Sequence, residues 1–241
     1  MMTQVHNKFS WKRVWQFGMI YRRRILVQTV SYVVLLALCA LILAYVKNGW
    51  LFMPVSFLSL LLLVFSPVVF DSRDQSFARN VPALKSEKLT FYLLYSLVYI
   101  PIVVKLLDLI LVCAVGKEYV TGLFLDATQG EVMTGYRGMV YTSALIYIVA
   151  AIMSVLTAVL TWRKNALLGA ILYFLVAFVI NGFVPLVFGF IAGYHDAVTG
   201  VDETVIQQGV MYKYFPTICV ITITCHLLWL AYLIRRLYKR F

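Results

Sequence analysis

Two ionisable side chains, Lys105 and Asp108, stand deep inside one long apolar run, and their three-residue spacing puts them on one helical face. At mid-membrane depth each would cost about 2.5–3.5 kcal/mol on insertion scales. The pair therefore reads either as a polar patch on a substrate path or as an ion pair that fixes packing. A second apolar run is interrupted by Asn181-Gly182 and Pro185. Pro185 removes a backbone donor and disfavours helix at Val184, so this run reads as a discontinuous transport helix or as a proline kink. Carbonyls freed at such depth need protein or water as partners. His226 directly follows Cys225 in a third run. A zinc site needs more ligands than this pair, and the expected use of His226 is an interhelical hydrogen bond. His195, Asp196, Asp202 and Glu203 carry cation-binding side chains, but in a polar segment they read as a solvated acidic loop. No metal is expected.

The absent motifs narrow the chemistry. The chain has no G-x-x-x-x-G-K-[ST], no H-E-x-x-H and no G-x-S-x-G, so neither a P-loop, a zinc peptidase helix nor a nucleophile elbow is present. Asp108 is the single carboxylate inside an apolar run, which leaves no paired-aspartate protease. The four cysteines, Cys39, Cys113, Cys219 and Cys225, all lie in apolar runs and read as small apolar fillers. The chain is not expected to be an enzyme or to hold a cofactor.

These residues are carried by a strongly apolar scaffold. Of 241 residues, 63% are hydrophobic and only 13% charged, whereas a soluble domain is nearer a quarter charged. The apolar residues gather into six runs of about 20 residues or more, enough to cross a bilayer as helix. The runs fall near 25–46, 50–70, 89–115, 139–161, 166–193 and 215–234. Sixteen of the 21 Lys and Arg lie before the first run, at 71–88, at 163–164 or in the tail at 235–241, while the opposite connections hold four. Basic residues stay on the cytoplasmic side, so both termini are expected there. The same bias explains the formal charge of +11 without nucleic acid. Residues 10–21 read as an amphipathic interfacial helix, with Trp11, Val14, Trp15, Gly18 and Tyr21 on one face and Ser10 as its N-cap. A polar loop is expected over 194–214. The fold class is therefore an all-α polytopic membrane bundle of six transmembrane helices. It divides into a cytoplasmic N-terminus at 1–24 and a transmembrane domain at 25–241.

With this layout the chain resembles the short bacterial type-2 ABC exporter permeases. Three segments carry the likeness. The first is Asn7-Lys8-Phe9-Ser10-Trp11-Lys12-Arg13, entering an amphipathic elbow helix. The second is the stretch 76–89, with Arg79-Asn80-Val81-Pro82-Ala83-Leu84-Lys85 and Glu87-Lys88-Leu89, where these permeases commonly carry Leu-Pro-Ala-Ser and Glu-Lys-Phe. The third is the polar segment between the fifth and sixth runs, where the family has short re-entrant helices. The resemblance implies a coupling loop at 71–88 that docks in a separate ATP-binding ATPase subunit. Arg79, Asn80, Pro82, Lys85, Glu87 and Lys88 would form that contact. It further implies a second permease subunit, identical or paralogous, and a place in the bacterial cytoplasmic membrane. An ion- or proton-coupled secondary transporter using Lys105, Asp108 and Asn181, and a non-transporting scaffold, are the competing expectations.

Overall fold

A computed structural model describes residues 8–46, 52–70, 81–115, 137–162, 165–199 and 203–240, and every regular element among them is helical. The short helix α1 spans Trp11–Met19 and turns at Ile20 and Tyr21 into α2, Arg22–Val46. Helix α3, Phe52–Phe65, tightens into a 3-10 turn at Ser66–Phe70. Helix α4, Lys85–Leu94, passes through a π-helical turn, Tyr95–Tyr99, into α5, Ile100–Val115. Helices α6, Arg137–Thr161, α7, Ala166–Thr199, and α8, Glu203–Arg240, complete the order. The stretches Lys85–Leu107, Gly138–Thr161, Ala166–Val187 and Tyr214–Arg240 are long and apolar enough to cross a membrane, with Phe57–Phe70 a shorter apolar helix. The chain is a multi-pass membrane protein.

The long helices alternate in direction, and specific contacts gather their ends. At one end Arg24, opening α2, reaches the Val69 carbonyl after α3 at 3.4 Å. Tyr21 and Phe70 pack on Phe91 and Tyr92 near the start of α4. Arg240, closing α8, donates to the Leu160 carbonyl near the end of α6 at 2.9 Å. Arg236 lies over the Tyr173 ring in the early turns of α7. These contacts form two groups, one at the start of α2, the end of α3 and the start of α4, the other at the end of α6, the start of α7 and the end of α8.

Helix α6 runs through the middle. Every residue from Ala150 to Leu160 is buried, so the helix has no open face there. Its small residues, Ala150, Ala151, Ser154 and Ala158, let α7 and α8 approach closely, the packing that substitutes for the hydrophobic effect inside lipid. Thr157 and Ser154 turn their hydroxyls back to the carbonyls of Met153 and Ala150, satisfying them within the helix. The link to α7 brings Gly169 against Trp162, where a Cβ would stand 2.8 Å from the indole.

Several expectations change. Helix α7 is continuous through Asn181, Gly182 and Pro185 rather than broken. Pro185 removes the one bond to the Asn181 carbonyl, and a single lost bond is tolerated when the turns on both sides remain helical. The polar segment at 194–214 is not a loop. α7 extends to Thr199 and α8 begins at Glu203, so most of it is helical. Separate re-entrant helices are absent among the described residues. Pro101 follows the π turn. Its ring clashes with the carbonyl four residues back, and the wider turn lies where that bond is already lost. Residues 47–51, 71–80, 116–136 and 200–202, with Asp202, lie outside the described residues.

The apolar stripe on α1 is divided. Val14 and Phe17 are buried against the protein, as is Tyr21 in the following turn, while Trp11 and Trp15 remain 64% and 73% exposed. The stripe is wider than the docking contact, and the inner half, extended by Phe17, takes the protein side. Gly18 permits this approach. A Cβ there would meet the Phe91 ring at 2.5 Å, and that ring is held by Phe17, Tyr21, Phe70 and Tyr92. Gly18→Leu is expected to cost about 1–3 kcal/mol through overpacking. An unchanged melting temperature in detergent would show that α1 is not packed this tightly.

Candidate functional site

The most heavily bonded polar group among the described residues is Glu87, three residues after the N-cap of α4. Leu84, at that N-cap, has an extended backbone and no side-chain oxygen, so the helix start receives help from elsewhere. Glu87 Oε2 accepts the Leu84 N–H at 2.9 Å, the backward half of a capping box. Its other oxygen accepts the Ser10 N–H at 2.7 Å and Arg13 Nη2 at 2.7 Å. Arg13 Nε lies 3.0 Å from both carboxylate oxygens. Arg13 also donates to the Lys8 carbonyl. Ser10 sits at the N-cap of α1, but its hydroxyl makes no cap bond; its carbonyl accepts the Arg13 and Val14 N–H groups. One carboxylate therefore closes the N-termini of two helices 77 residues apart in sequence.

The Glu87 side chain is wholly shielded from solvent, although it lies just beneath the surface, and the Arg13 side chain is 22% exposed. Hydrogen bonds to Glu87 raise the Arg13 pKa above its ordinary value; burial opposes this, and the Glu87 charge reinforces it. Such a guanidinium stays charged and binds the carboxylate in a fork, a geometry lysine cannot supply. Below the clamp lies an aromatic box. Phe17 meets Tyr21, Phe91 and Tyr92 edge-on with centroids 5.5–5.8 Å apart, and the Tyr21 and Tyr92 hydroxyls are 3.2 Å apart. The Lys88 ammonium stands 5.9 Å from the Phe17 ring centre, within range for a cation–π contact. The clamp and the box make α1 and the first turns of α4 one packed unit.

Further along α4 a second polar junction joins three elements. The Tyr95 hydroxyl donates to Gln28 Oε1, and Gln28 Nε2 donates to the Ser66 carbonyl at 3.3 Å. The hydroxyls of Thr29 and Tyr99 are 3.2 Å apart. The π turn carries both tyrosines towards α2, with their rings stacked 5.6 Å apart. Beside this junction a cavity of about 20 Å³, room for one water, is bordered by Gln28, Thr29 and Tyr32 at its polar end and by Leu62, Ile100 and Val103.

The residues expected to bind a partner separate. Pro82 and Lys85 are exposed. Glu87 and Lys88 are buried against α1 and are engaged within the chain. Arg79 and Asn80 lie outside the described residues. Lys105 is exposed on α5, beside the exposed Ile102, Leu106 and Leu109. Asp108 lies one turn further on, with its side chain outside the described part. Asn181 is half-buried in α7. His195 and Asp196 fall in the last turns of α7 and Glu203 opens α8, again with side chains outside the described part. His226 is buried, but its Nδ1 pairs with the Thr222 carbonyl of its own helix at 2.8 Å, and its ring meets Tyr147 edge-on. The interhelical bond expected of His226 is made nearby by Trp229, whose Nε1 donates to Ser154 at 2.7 Å. No group of three metal-ligating side chains occurs among the described residues.

Sequence reasoning assigned Arg13 no partner and passed over Gln28. Gln28 had a signal, as a lone amide in an apolar run; Arg13 had none, because its partner is distant in sequence. No protein-family model, curated protein or solved structure matches the chain, so its placement rests on its own geometry.

Proposed function

We propose that the chain is the membrane-spanning half of an ABC-type exporter, working with a second permease subunit and a separate cytoplasmic ATPase that binds the ATP. The clamp at Glu87 carries this reading. It fastens α1 to the first turn of α4, and that turn ends the 71–88 segment assigned by resemblance to the ATPase contact. A displacement of the segment would reach α1 and α4 together, which is what a coupling element requires. Glu87 and Lys88 then act inside the chain, and the ATPase would meet Arg79, Asn80, Pro82 and Lys85. On this reading the six crossings are α2, α3 with its 3-10 turn, α4 with α5, α6, α7 and α8. Helix α1 lies along the inner interface of the bacterial cytoplasmic membrane, and the basic end faces the cytoplasm. The cavity beside Gln28 has room for a single water and α6 is packed on all sides along Ala150–Leu160. Both features favour a substrate path between two chains over one through a single chain.

An ion-coupled secondary transporter draws less support. Its basis was a broken fifth span and a mid-membrane charge pair. Helix α7 is continuous. Lys105 stands twenty residues beyond Lys85 along near-continuous helix, or about 30 Å, where a lysine can snorkel to the far boundary.

The test is affinity purification from detergent. An ABC ATPase should co-purify with the parent, and Arg79→Glu with Lys85→Glu should weaken that association several-fold while membrane insertion persists, since most inner basic residues remain. The weakening should diminish in high salt. Absence of an ATPase from both samples, or equal recovery, would move the reading to a secondary transporter or scaffold.

A further inference from the structure

We propose that the flank of α1 left open by its docking, together with Lys12, Arg22 and Arg23, is a contact surface for anionic phospholipid. The proposal rests on the placement of α1 along the membrane interface and adds which lipid it takes there. Trp11, Trp15 and Met19 recur every fourth residue, so they form one line along the helix, and all three are exposed. This line lies on a different flank from Val14 and Phe17, which face the protein. Two indoles and a thioether side by side form an apolar strip, and indoles favour the headgroup layer, where the ring is apolar and the N–H is wet.

The charges beside the strip have no acidic counterpart among the described residues. Lys12, Arg22 and Arg23 are exposed and none forms an ion pair among the described residues. The nearby carboxylate, Glu87, is taken by Arg13, Ser10 and Leu84. Arg22 and Arg23 open α2, which has no acidic residue in its first turn. That is the positive end of the helix dipole, where cations are disfavoured and anions are stabilised. Among the described residues no other carboxylate is placed to balance these cations, and an anion from outside the chain would do so. An acidic soluble protein would balance the cations but leave the indoles in water. A phospholipid with net negative charge answers both, offering phosphate to the cations and the acyl boundary to Trp11, Trp15 and Met19. Each cation near such a surface contributes about fivefold in association, or roughly 100-fold for three as an upper bound.

Brominated lipids, which quench tryptophan on contact, provide the test. A variant keeping Trp11 and Trp15, with Trp50, Trp162 and Trp229 changed to Phe, would be reconstituted in mixed vesicles. Bromine would be carried either by the anionic or by the zwitterionic component. Quenching by the anionic lipid should exceed that by the zwitterionic lipid several-fold, fall with salt and equalise in Lys12→Gln/Arg22→Gln/Arg23→Gln. Native mass spectrometry of the unaltered protein gives the same comparison without the tryptophan changes, with fewer anionic lipids retained by the triple variant. Equal quenching by both lipids in the parent, or an undiminished preference in the triple variant, would overturn the proposal while leaving α1 at the interface. Quenching by neither would overturn the interfacial placement itself. Displacement of the anionic lipid by inorganic phosphate would mean a phosphate site and would likewise overturn it.

Discussion

Glu87→Ala is expected to release α1 from α4 and to be the most damaging single polar substitution in the region. Removing this carboxylate takes away the acceptor for the N–H groups of Ser10 and Leu84 and for the Arg13 guanidinium. An unmade bond at a shielded group loses the full desolvation cost rather than the small net value of a hydrogen bond. Arg13→Gln should cost less, because Glu87 keeps both backbone donors. The double variant should be little worse than Glu87→Ala alone, since the second change removes a group already stranded. The readout is a spin-label distance between α1 and α4, with thermal denaturation in detergent alongside. Additive losses would show that the two side chains act independently and that no clamp exists. A label distance unchanged in Glu87→Ala would show that the aromatic box holds α1 unaided, and the transmission role proposed for the clamp would fall.

What the sequence disclosed follows from which forces are local. A bilayer of fixed thickness sets the length of an apolar run, so the long helices at 139–161 and 166 onward could be read directly, as could the all-helical class. Charge at the ends of runs gave an expected alternation; in the structure Arg24 and Phe70 join the ends of α2, α3 and α4, and Arg240 joins those of α6 and α8. That α6 is the central helix was hidden, because its apolar residues look like those of any span. Only the run of Ala150, Ala151, Ser154 and Ala158 hinted at close packing. The site was legible at the level of segments but not of partners. Glu87 was assigned to the ATPase contact by the resemblance of its segment; its capture by Arg13, 74 residues away, is tertiary and leaves no local mark. The stripe on α1 was seen as one face, since helical spacing gives the width of an apolar surface and not where a neighbour's edge divides it. Of the two readings left open at Pro185, a discontinuous helix and a proline kink, the continuous α7 removes the first, because a proline's effect depends on how well the surrounding turns are held.

Phe17→Ala is the second large effect, expected to cost about 3–5 kcal/mol in the docking of α1. The Phe17 ring is fully buried and is the common neighbour of Tyr21, Phe91 and Tyr92. Its loss opens a cavity that the stacked rings of Tyr21 and Phe91 are poorly placed to fill, and it removes the face over which the Lys88 ammonium lies. Phe17→Leu keeps most of the volume and should cost less than about 1.5 kcal/mol. Trp15→Ala removes an even larger side chain, but from the open flank, and should leave docking in detergent within about 0.5 kcal/mol of the parent. The contrast between Phe17 and Trp15 decides whether α1 is held by a specific contact or by general apolarity. The Phe17 ring and the buried stretch of α6 belong to one continuous apolar core, so Phe17→Ala should lower the temperature at which α1 detaches and, by a smaller amount, that at which the bundle unfolds. If an ATPase is the partner, its stimulation by the membrane subunit should fall in Phe17→Ala while its binding persists, because the 71–88 segment remains present but no longer moves with α1. Equal losses from Phe17→Ala and Trp15→Ala would mean that α1 is held by its apolarity alone, and the coupling role assigned to its docking would be withdrawn.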